Sequence, residues 1–118
     1  FENEWTQERH PVGLSQKTPS EYTSFHWTRQ VLASHNNSYS MWKEGTLANN
    51  GVEKMAEAGG TATILHELQD NGDSFDVGYD KYLYAINPKV VYEPITMTPN
   101  RRYLSAISKM APSPDWFS

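Results

Sequence analysis

The chain of 118 residues contains no cysteine, which excludes disulfide bonds, thiolate metal sites and a cysteine nucleophile. Its formal net charge is −4 and no basic cluster is longer than Arg101-Arg102, so it lacks the electrostatic footprint of nucleic-acid binding. The apolar runs are far shorter than the ~20 residues that cross a bilayer, and no signal-peptide pattern is present. We therefore expect a soluble chain from which any export signal has gone.

Aromatic residues are what the chain has in quantity. Hydrophobic residues make up only 37% of the sequence, but Phe, Trp and Tyr account for 13%, and each buried aromatic side chain removes ~150–250 Å² from water. The length fits one domain covering residues 1–118 and one core. We expect that core to be built largely on aromatic rings.

Two short helices are predicted in the middle of the chain. Asn50 is expected to cap the first, whose apolar residues Val52, Met55 and Ala56 follow the spacing of one helical face. Gly59-Gly60 would end it with a left-handed cap. The second covers about residues 61–69, before the turn at residues 70–73.

The remaining segments predict strands. An opening strand covers residues 1–5, and a second covers 22–32, followed by a polar turn and a buried corner at Tyr39, Met41 and Trp42. Apolar residues alternate over 75–79 and again, in the opposite phase, over 82–86, which predicts a bulge near Asp80-Lys81. Further strands are expected at 90–92, 95–97 and 103–110.

Several separated motifs resemble the spondin domain, as in F-spondin and mindin. They are Phe1 through Trp5 with His10-Pro11, His26-Trp27-Thr28, Ala33-Ser34-His35, Tyr39-Ser40-Met41-Trp42, Gly45, Gly51-Val52-Glu53-Lys54, Ala56-Glu57-Ala58-Gly59 and Pro112-Ser113-Pro114-Asp115-Trp116-Phe117. The motifs occur in the family's order over nearly the whole chain.

The resemblance implies an all-β fold, an antiparallel β-sandwich with one or two short helices between strands. It implies a secreted, extracellular and non-enzymatic protein that adheres to matrix, cell surfaces or microbial surfaces, with calcium bound in some members. Asp115 is then the expected calcium ligand, because calcium prefers several oxygen ligands and this aspartate follows a proline. An aspartate that only accepts hydrogen bonds from its own turn is an equal alternative.

The sequence also departs from the family pattern. The family domain usually continues for several dozen residues beyond the Pro-Ser-Pro-Asp-Trp motif, so the last strands of the sandwich are expected to be missing. An open sandwich exposes an unpaired strand edge, and we therefore expect a second polypeptide to complete the fold as a hetero-oligomer. Thr96 and Thr98 stand where an acidic integrin contact is expected, which argues against integrin binding.

No catalytic pattern emerges from the polar residues. The four histidines lack the spacing of metal ligands, and the acids Asp70, Asp73 and Asp76 lack the ligand pattern of an EF-hand. We therefore predict that the chain is not an enzyme. Asn36-Asn37-Ser38 has the form of an N-glycosylation acceptor, with Asn36 as the modified residue.

Two functions remain open. The first is adhesion or recognition at matrix or cell surfaces. The second is a soluble carrier in which this domain and a partner chain enclose an apolar small molecule, such as a lipid or a carotenoid pigment. The carrier would need a groove of flat, weakly polar rings, whereas plain core packing is the alternative role for the same rings. The candidate ligand-binding residues are Trp27, Trp42, Tyr79, Tyr82, Tyr84 and Tyr92.

Overall fold

The computed structural model describes residues 1, 2, 4, 8, 26–71, 76–79, 83–84, 89–112 and 117, with the backbone alone for 76–79 and 83–84. Strands and helices follow one another in the order β1 (His26–Trp27), β2 (Val31–His35), α1 (Asn50–Ala58), α2 (Ala62–Asp70), β3 (Asp76–Tyr79), β4 (Leu83–Tyr84), β5 (Tyr103–Ile107) and β6 (Met110–Ala111). The prediction of an antiparallel β fold with two short helices is confirmed at this level.

The strands form two three-stranded antiparallel sheets with matching orders, β4-β1-β6 and β3-β2-β5. Residues 26–35 therefore supply the middle strand of each sheet, β1 in one and β2 in the other. Trp27 pairs with Leu83 of β4, and Val31 pairs with Tyr79 of β3, so both partners are four residues apart and the register does not change. On the opposite edge, Trp27 pairs with Met110 of β6 and Val31 pairs with Ile107 of β5, which are only three residues apart. This extra residue marks a bulge at the point where the chain passes between sheets.

Buried polar groups hold this junction between the sheets. The backbone N–H of Thr28 donates to Lys109 O at 2.9 Å, and the Lys109 N–H donates back to Thr28 Oγ1 at 3.1 Å. Gln30, which is fully buried, donates to Thr28 O and accepts a hydrogen bond from the hydroxyl of Tyr92. Ser108 Oγ also donates to Thr28 O, at 3.1 Å. The junction thus satisfies the polar groups that the break in the ladder exposes.

Local sequence determines both ends of α1. The side chain of Asn49 accepts a hydrogen bond from Val52 N at 2.8 Å, so Asn49 is the N-cap and the prediction of Asn50 is wrong by one residue. Gly59 ends the helix at φ +72°, where its N–H donates to Met55 O at 2.8 Å. The predicted Gly59 cap is confirmed.

Lys109 joins α1 to the sheet junction. Its side chain is 95% removed from solvent, and its ammonium donates to Ala56 O and, at 2.9 Å, to Glu57 O. These carbonyls belong to the last turn of α1, which carries the negative end of the helix dipole. A single buried cation therefore fixes the helix against the bend between the sheets.

The helices pack on one face of the β3-β2-β5 sheet. The core they form with it contains Val31, Ala33, Met41, Val52, Met55, Ile64, Leu68 and Ile107. The predicted apolar face of the first helix is confirmed. The core is aliphatic, with Tyr39 and Phe117 at its margin. The expected aromatic core is thus wrong for the part of the chain that the structure describes.

Three further expectations need correction. Trp42 was expected in a buried corner, but its side chain remains 54% exposed and its ring meets Phe117 edge-on at 6.0 Å. Residues 90–92 and 95–97 form no strand, although their composition favours one. Thr96 instead accepts a hydrogen bond from Ser34 Oγ at 3.0 Å, so this segment lies against β2. The predicted bulge at 80–81 lies outside the described residues.

Candidate functional site

A polar cleft of about 480 Å³ opens at one end of the β2–β5 pair. The register of the two strands places His35, the last residue of β2, opposite Tyr103, the first of β5. The loop after β2 and the turn before β5 consequently meet. The residues that line the cleft are Asn36, Asn37, Ser38, Pro99, Asn100, Arg101, Arg102 and Tyr103.

Hydrogen bonds within each wall give the cleft its shape. On one side, Asn36 Oδ1 accepts from Ser38 N at 2.9 Å and from Ser38 Oγ at 2.5 Å, which closes an Asx turn. On the other, Thr98 and Arg101 exchange backbone hydrogen bonds of 3.2 and 2.9 Å. Pro99 and Asn100 are therefore held at the tip of a tight turn.

His35 connects the two walls from beneath. Its Nδ1 lies 2.7 Å from Asn36 O, and because a carbonyl only accepts, this nitrogen carries a proton. Its Nε2 lies 2.8 Å from Ser105 Oγ. The ring stacks on Tyr103, with centroids 5.9 Å apart at an interplanar angle of 21°, and meets Tyr39 edge-on. His35 is thus a positioning residue that fixes one lining residue on each wall.

The cleft is basic on an acidic chain. Among the described residues, its lining contains two arginines, three asparagines, a serine and a tyrosine, and no carboxylate. This follows from two segments of the sequence, because residues 22–43 and 94–114 contain five of the ten basic residues and none of the fourteen acidic ones. The pairing of β2 with β5 brings these two acid-free segments together.

A different polar environment surrounds Tyr39, beside the helices. Burial raises the pKa of its hydroxyl, and the negative charge of Glu67 raises it further. Glu67 Oε1 accepts a hydrogen bond from Gly51 N at 3.0 Å at the start of α1, whereas its buried Oε2 has no hydrogen-bond partner among the described residues. This carboxylate ties α2 to the N-terminal end of α1, where the helix dipole favours a negative charge.

The structure describes three of the six candidate ligand-binding rings, each in its own surroundings. Trp27 is half-buried in β1, and Trp42 lies against Phe117. Tyr92 is half-buried, with its hydroxyl bound to Gln30 and its ring edge-on to Phe1 at 5.9 Å.

The backbones of Tyr79 and Tyr84 pair with Val31 and His26 in different sheets, and their side chains are not described. Tyr82 and Asp115 lie outside the described residues. The aromatic groove and the calcium ligand therefore remain predictions.

Among the predicted site residues that the structure describes, Trp27, Trp42 and Tyr92 do not line the cleft, whereas Asn36 does. Sequence reasoning missed its neighbours Arg101, Arg102 and Tyr103, which lie more than sixty positions away along the chain. The distribution of acidic residues was the signal that could have found them, because both walls come from the acid-free segments.

The described residues contain neither a metal-binding cluster nor a membrane-spanning helix. Within residues 26–71, 89–112 and the shorter described pieces, no three His, Cys, Asp or Glu residues come together as a metal would require. No helix in that part of the chain has the length and apolarity to cross a membrane.

The fold and site define a small antiparallel β protein with a helical pair on one sheet and a basic cleft at one end. A family model described as Spondin_N matches residues 1–118, so the chain belongs to this spondin family. The resemblance noted in the sequence motifs is confirmed.

Curated relatives show the same similarity at low identity. The chain is 24% identical to Spondin-1 of Gallus gallus and to Spondin-1 of Homo sapiens, in alignments that cover 98% of the chain. It is 26% identical to Spondin-2 of Homo sapiens over 84% of the chain. The matched region spans about 14% of the length of Spondin-1 and about 32% of that of Spondin-2.

Proposed function

We propose that this chain is a non-enzymatic recognition module of a secreted protein that adheres to extracellular matrix or cell surfaces. The observation that carries the proposal is the Spondin_N match over residues 1–118, with Spondin-1 and Spondin-2 as relatives. The chain aligns with only about 14% of Spondin-1 and about 32% of Spondin-2. In a longer protein with several binding modules, one module needs to hold only one ligand.

The chemistry of the cleft supports binding rather than catalysis. The aliphatic hydroxyl of Ser38 donates to Asn36 Oδ1, which is not a base and cannot activate it as a nucleophile. The arginines, amides and tyrosine offer hydrogen bonds and a ring face for a bound ligand.

The two sheets of this module are proposed to pack face to face as a β-sandwich. A chain that passes from one sheet to another through a bend or bulge is how sandwich corners are made, and the junction at Thr28 and Gln30 has this form. A calcium ion held by Asp115 and a second polypeptide that completes the fold are further proposals from the family resemblance. Calorimetric calcium titration of the protein and of an Asp115→Asn variant tests the first, and native mass spectrometry of protein from its source tests the second.

The test of adhesion is a binding assay on matrix deposited by cultured cells. Full-length protein should bind in a saturable and reversible manner, and the matrix should release no new fragments during prolonged contact. Absence of saturable binding to matrix and to cells contradicts adhesion. Progressive release of cleaved matrix products contradicts the non-enzymatic role.

A further inference from the structure

We propose that the cleft between residues 36–38 and 99–103 binds an acidic glycan, a polysaccharide that carries sulfate or carboxylate groups. This inference rests on the proposed recognition function and names its ligand class. The charge of the cleft supports it, since Arg101 and Arg102 line the cleft and none of the lining residues that the structure describes is acidic. The chain as a whole carries a charge of −4, so long-range attraction of a polyanion must come from this local field.

The two arginines bring positive charge to the lining of the cleft. Arg101 is half-buried, and Arg102 beside it is exposed. Guanidinium groups bind carboxylate and sulfate oxygens through two parallel N–H donors, and such charge-assisted hydrogen bonds are about twice as strong as neutral ones. Two adjacent arginines therefore favour a ligand with repeated negative charges.

The other lining residues favour a sugar over an acidic peptide. Asn37 and Asn100 offer amide groups that both donate and accept, and Ser38 adds a hydroxyl. Such groups match a ligand rich in hydroxyls. Tyr103 is 46% exposed and is held flat by its stacking on His35. A fixed, exposed ring of this kind provides a face against which a sugar ring packs.

The volume of the cleft is suited to a short part of a long chain. At about 480 Å³ it lies in the range of small-molecule sites. The cleft lies at the end of the β2–β5 pair. We therefore expect it to hold one short segment of the polysaccharide while the rest of the polymer extends into solvent.

The direct test uses full-length protein and four probes: heparin for sulfated glycans, hyaluronan for carboxylated ones, dextran as a neutral polymer and poly-glutamate as an acidic peptide. Wild-type protein should bind heparin or hyaluronan and should not bind dextran. The Arg101→Gln/Arg102→Gln variant should bind at least about tenfold more weakly. The slope of log affinity against log salt should fall by about one unit for each arginine removed.

A matched control separates the cleft from net charge. Lys54→Gln/Lys89→Gln removes the same charge from two exposed positions outside the cleft, and its binding should stay within about twofold of wild type. Tyr103→Ala should weaken binding severalfold with an unchanged salt slope, because it removes the ring and no charge. Circular dichroism of each variant confirms that it is folded.

The outcomes are decisive in either direction. The proposal is overturned if the lysine control loses as much affinity as the arginine variant, if poly-glutamate binds as tightly as the glycans, or if neither glycan binds. If matrix binding persists while neither glycan binds, the ligand class is wrong and the adhesion function stands. If wild-type protein binds neither matrix nor cells, the adhesion function itself fails.

Discussion

The sheet junction and the cleft are both rich in polar residues, but they use them in opposite ways. At the junction, Gln30 and Lys109 are buried, and their polar atoms are bound by groups of the same chain. At the cleft, Arg102 and Tyr103 are exposed at the surface. Internally satisfied polar groups thus stabilise this fold at the junction, whereas Arg102 and Tyr103 are placed at the surface of the cleft, where a ligand can reach them.

Lys109→Met should have the largest effect and tests the junction directly. The substitution keeps the apolar stem but removes two hydrogen bonds to the last turn of α1. We expect a loss of about 2–3 kcal/mol in the free energy of unfolding, measured with urea. Arg102→Met, in the cleft, should change it by less than about 0.5 kcal/mol. Equal losses in the two variants would break the distinction between the regions.

A pair of glycines should give the next largest effect. Gly59 and Gly45 both have positive φ, at +72° and +77°. A Cβ on Gly59 would lie 2.8 Å from Thr28 Cγ2 at the junction, whereas one on Gly45 would meet nothing within 4 Å. Gly45→Ala should therefore cost about 1 kcal/mol from backbone strain alone.

Gly59→Ala should cost about 2 kcal/mol, because the steric clash adds to the same strain. Thermal unfolding of both variants measures the difference. Adding Thr28→Ser to the Gly59 variant removes the methyl group and should recover part of the loss. A Gly59→Ala variant no less stable than Gly45→Ala would show that the junction tolerates movement.

The raised pKa of Tyr39 predicts a smaller, pH-dependent effect. Tyrosine in the unfolded chain ionises near pH 10, whereas burial and Glu67 keep Tyr39 protonated to higher pH in the folded protein. The contribution of Tyr39 is therefore fully present below about pH 10 and is lost as pH rises through the folded pKa. Glu67→Gln should lower the pKa of Tyr39, measured by NMR titration of its ring carbons.

The control for this titration is Glu53→Gln, which removes an equal charge from an exposed position in the first turn of α1. The pKa of Tyr39 should not move in that variant. An identical shift in both variants would show that the effect comes from net charge and that Glu67 has no special position.

Glycosylation of Asn36 should change the stability of the fold least among these predictions, but it should clearly raise the mass of the protein. Protein secreted from eukaryotic cells should lose mass on treatment with a glycosidase, and Asn36→Gln should abolish that loss. Asn37→Gln is the matched control, because it leaves the acceptor Asn36-x-Ser38 intact. A glycosidase-sensitive mass in the Asn36→Gln variant would refute the assignment. Since Asn36 lines the cleft, occupancy of this site also bears on how a ligand enters.

Sequence reasoning succeeded where structure is determined by neighbouring residues. The helices follow from the spacing of Val52 and Met55 and from the Gly59 cap, all within one segment. Asn49 and Asn50 are both suitable N-caps, so the sequence alone placed the helix start only to within one residue. A contact from another helix contributes at this end, because Glu67 accepts a hydrogen bond from the N–H of Gly51.

The rest depended on contacts between distant parts of the chain. Residues 90–97 have strand-like composition, but their position against β2 is seen in the contact between Ser34 and Thr96. The cleft depends on the pairing of His35 with Tyr103, which no local pattern specifies. The apolar character of Trp42 predicted that it is buried, but burial also requires another part of the chain to pack against the ring, and Trp42 is 54% exposed.

The most direct test of the recognition account is an NMR titration of isotope-labelled protein with a sulfated heparin oligosaccharide and, separately, with a carboxylated hyaluronan oligosaccharide, followed at backbone amides and arginine side chains. The account predicts that chemical-shift changes with at least one of them concentrate at residues 36–38 and 99–103 and include the Arg101 and Arg102 guanidinium groups. Changes centred on α1, α2 or the Trp42 surface, or no changes with either oligosaccharide, would contradict it.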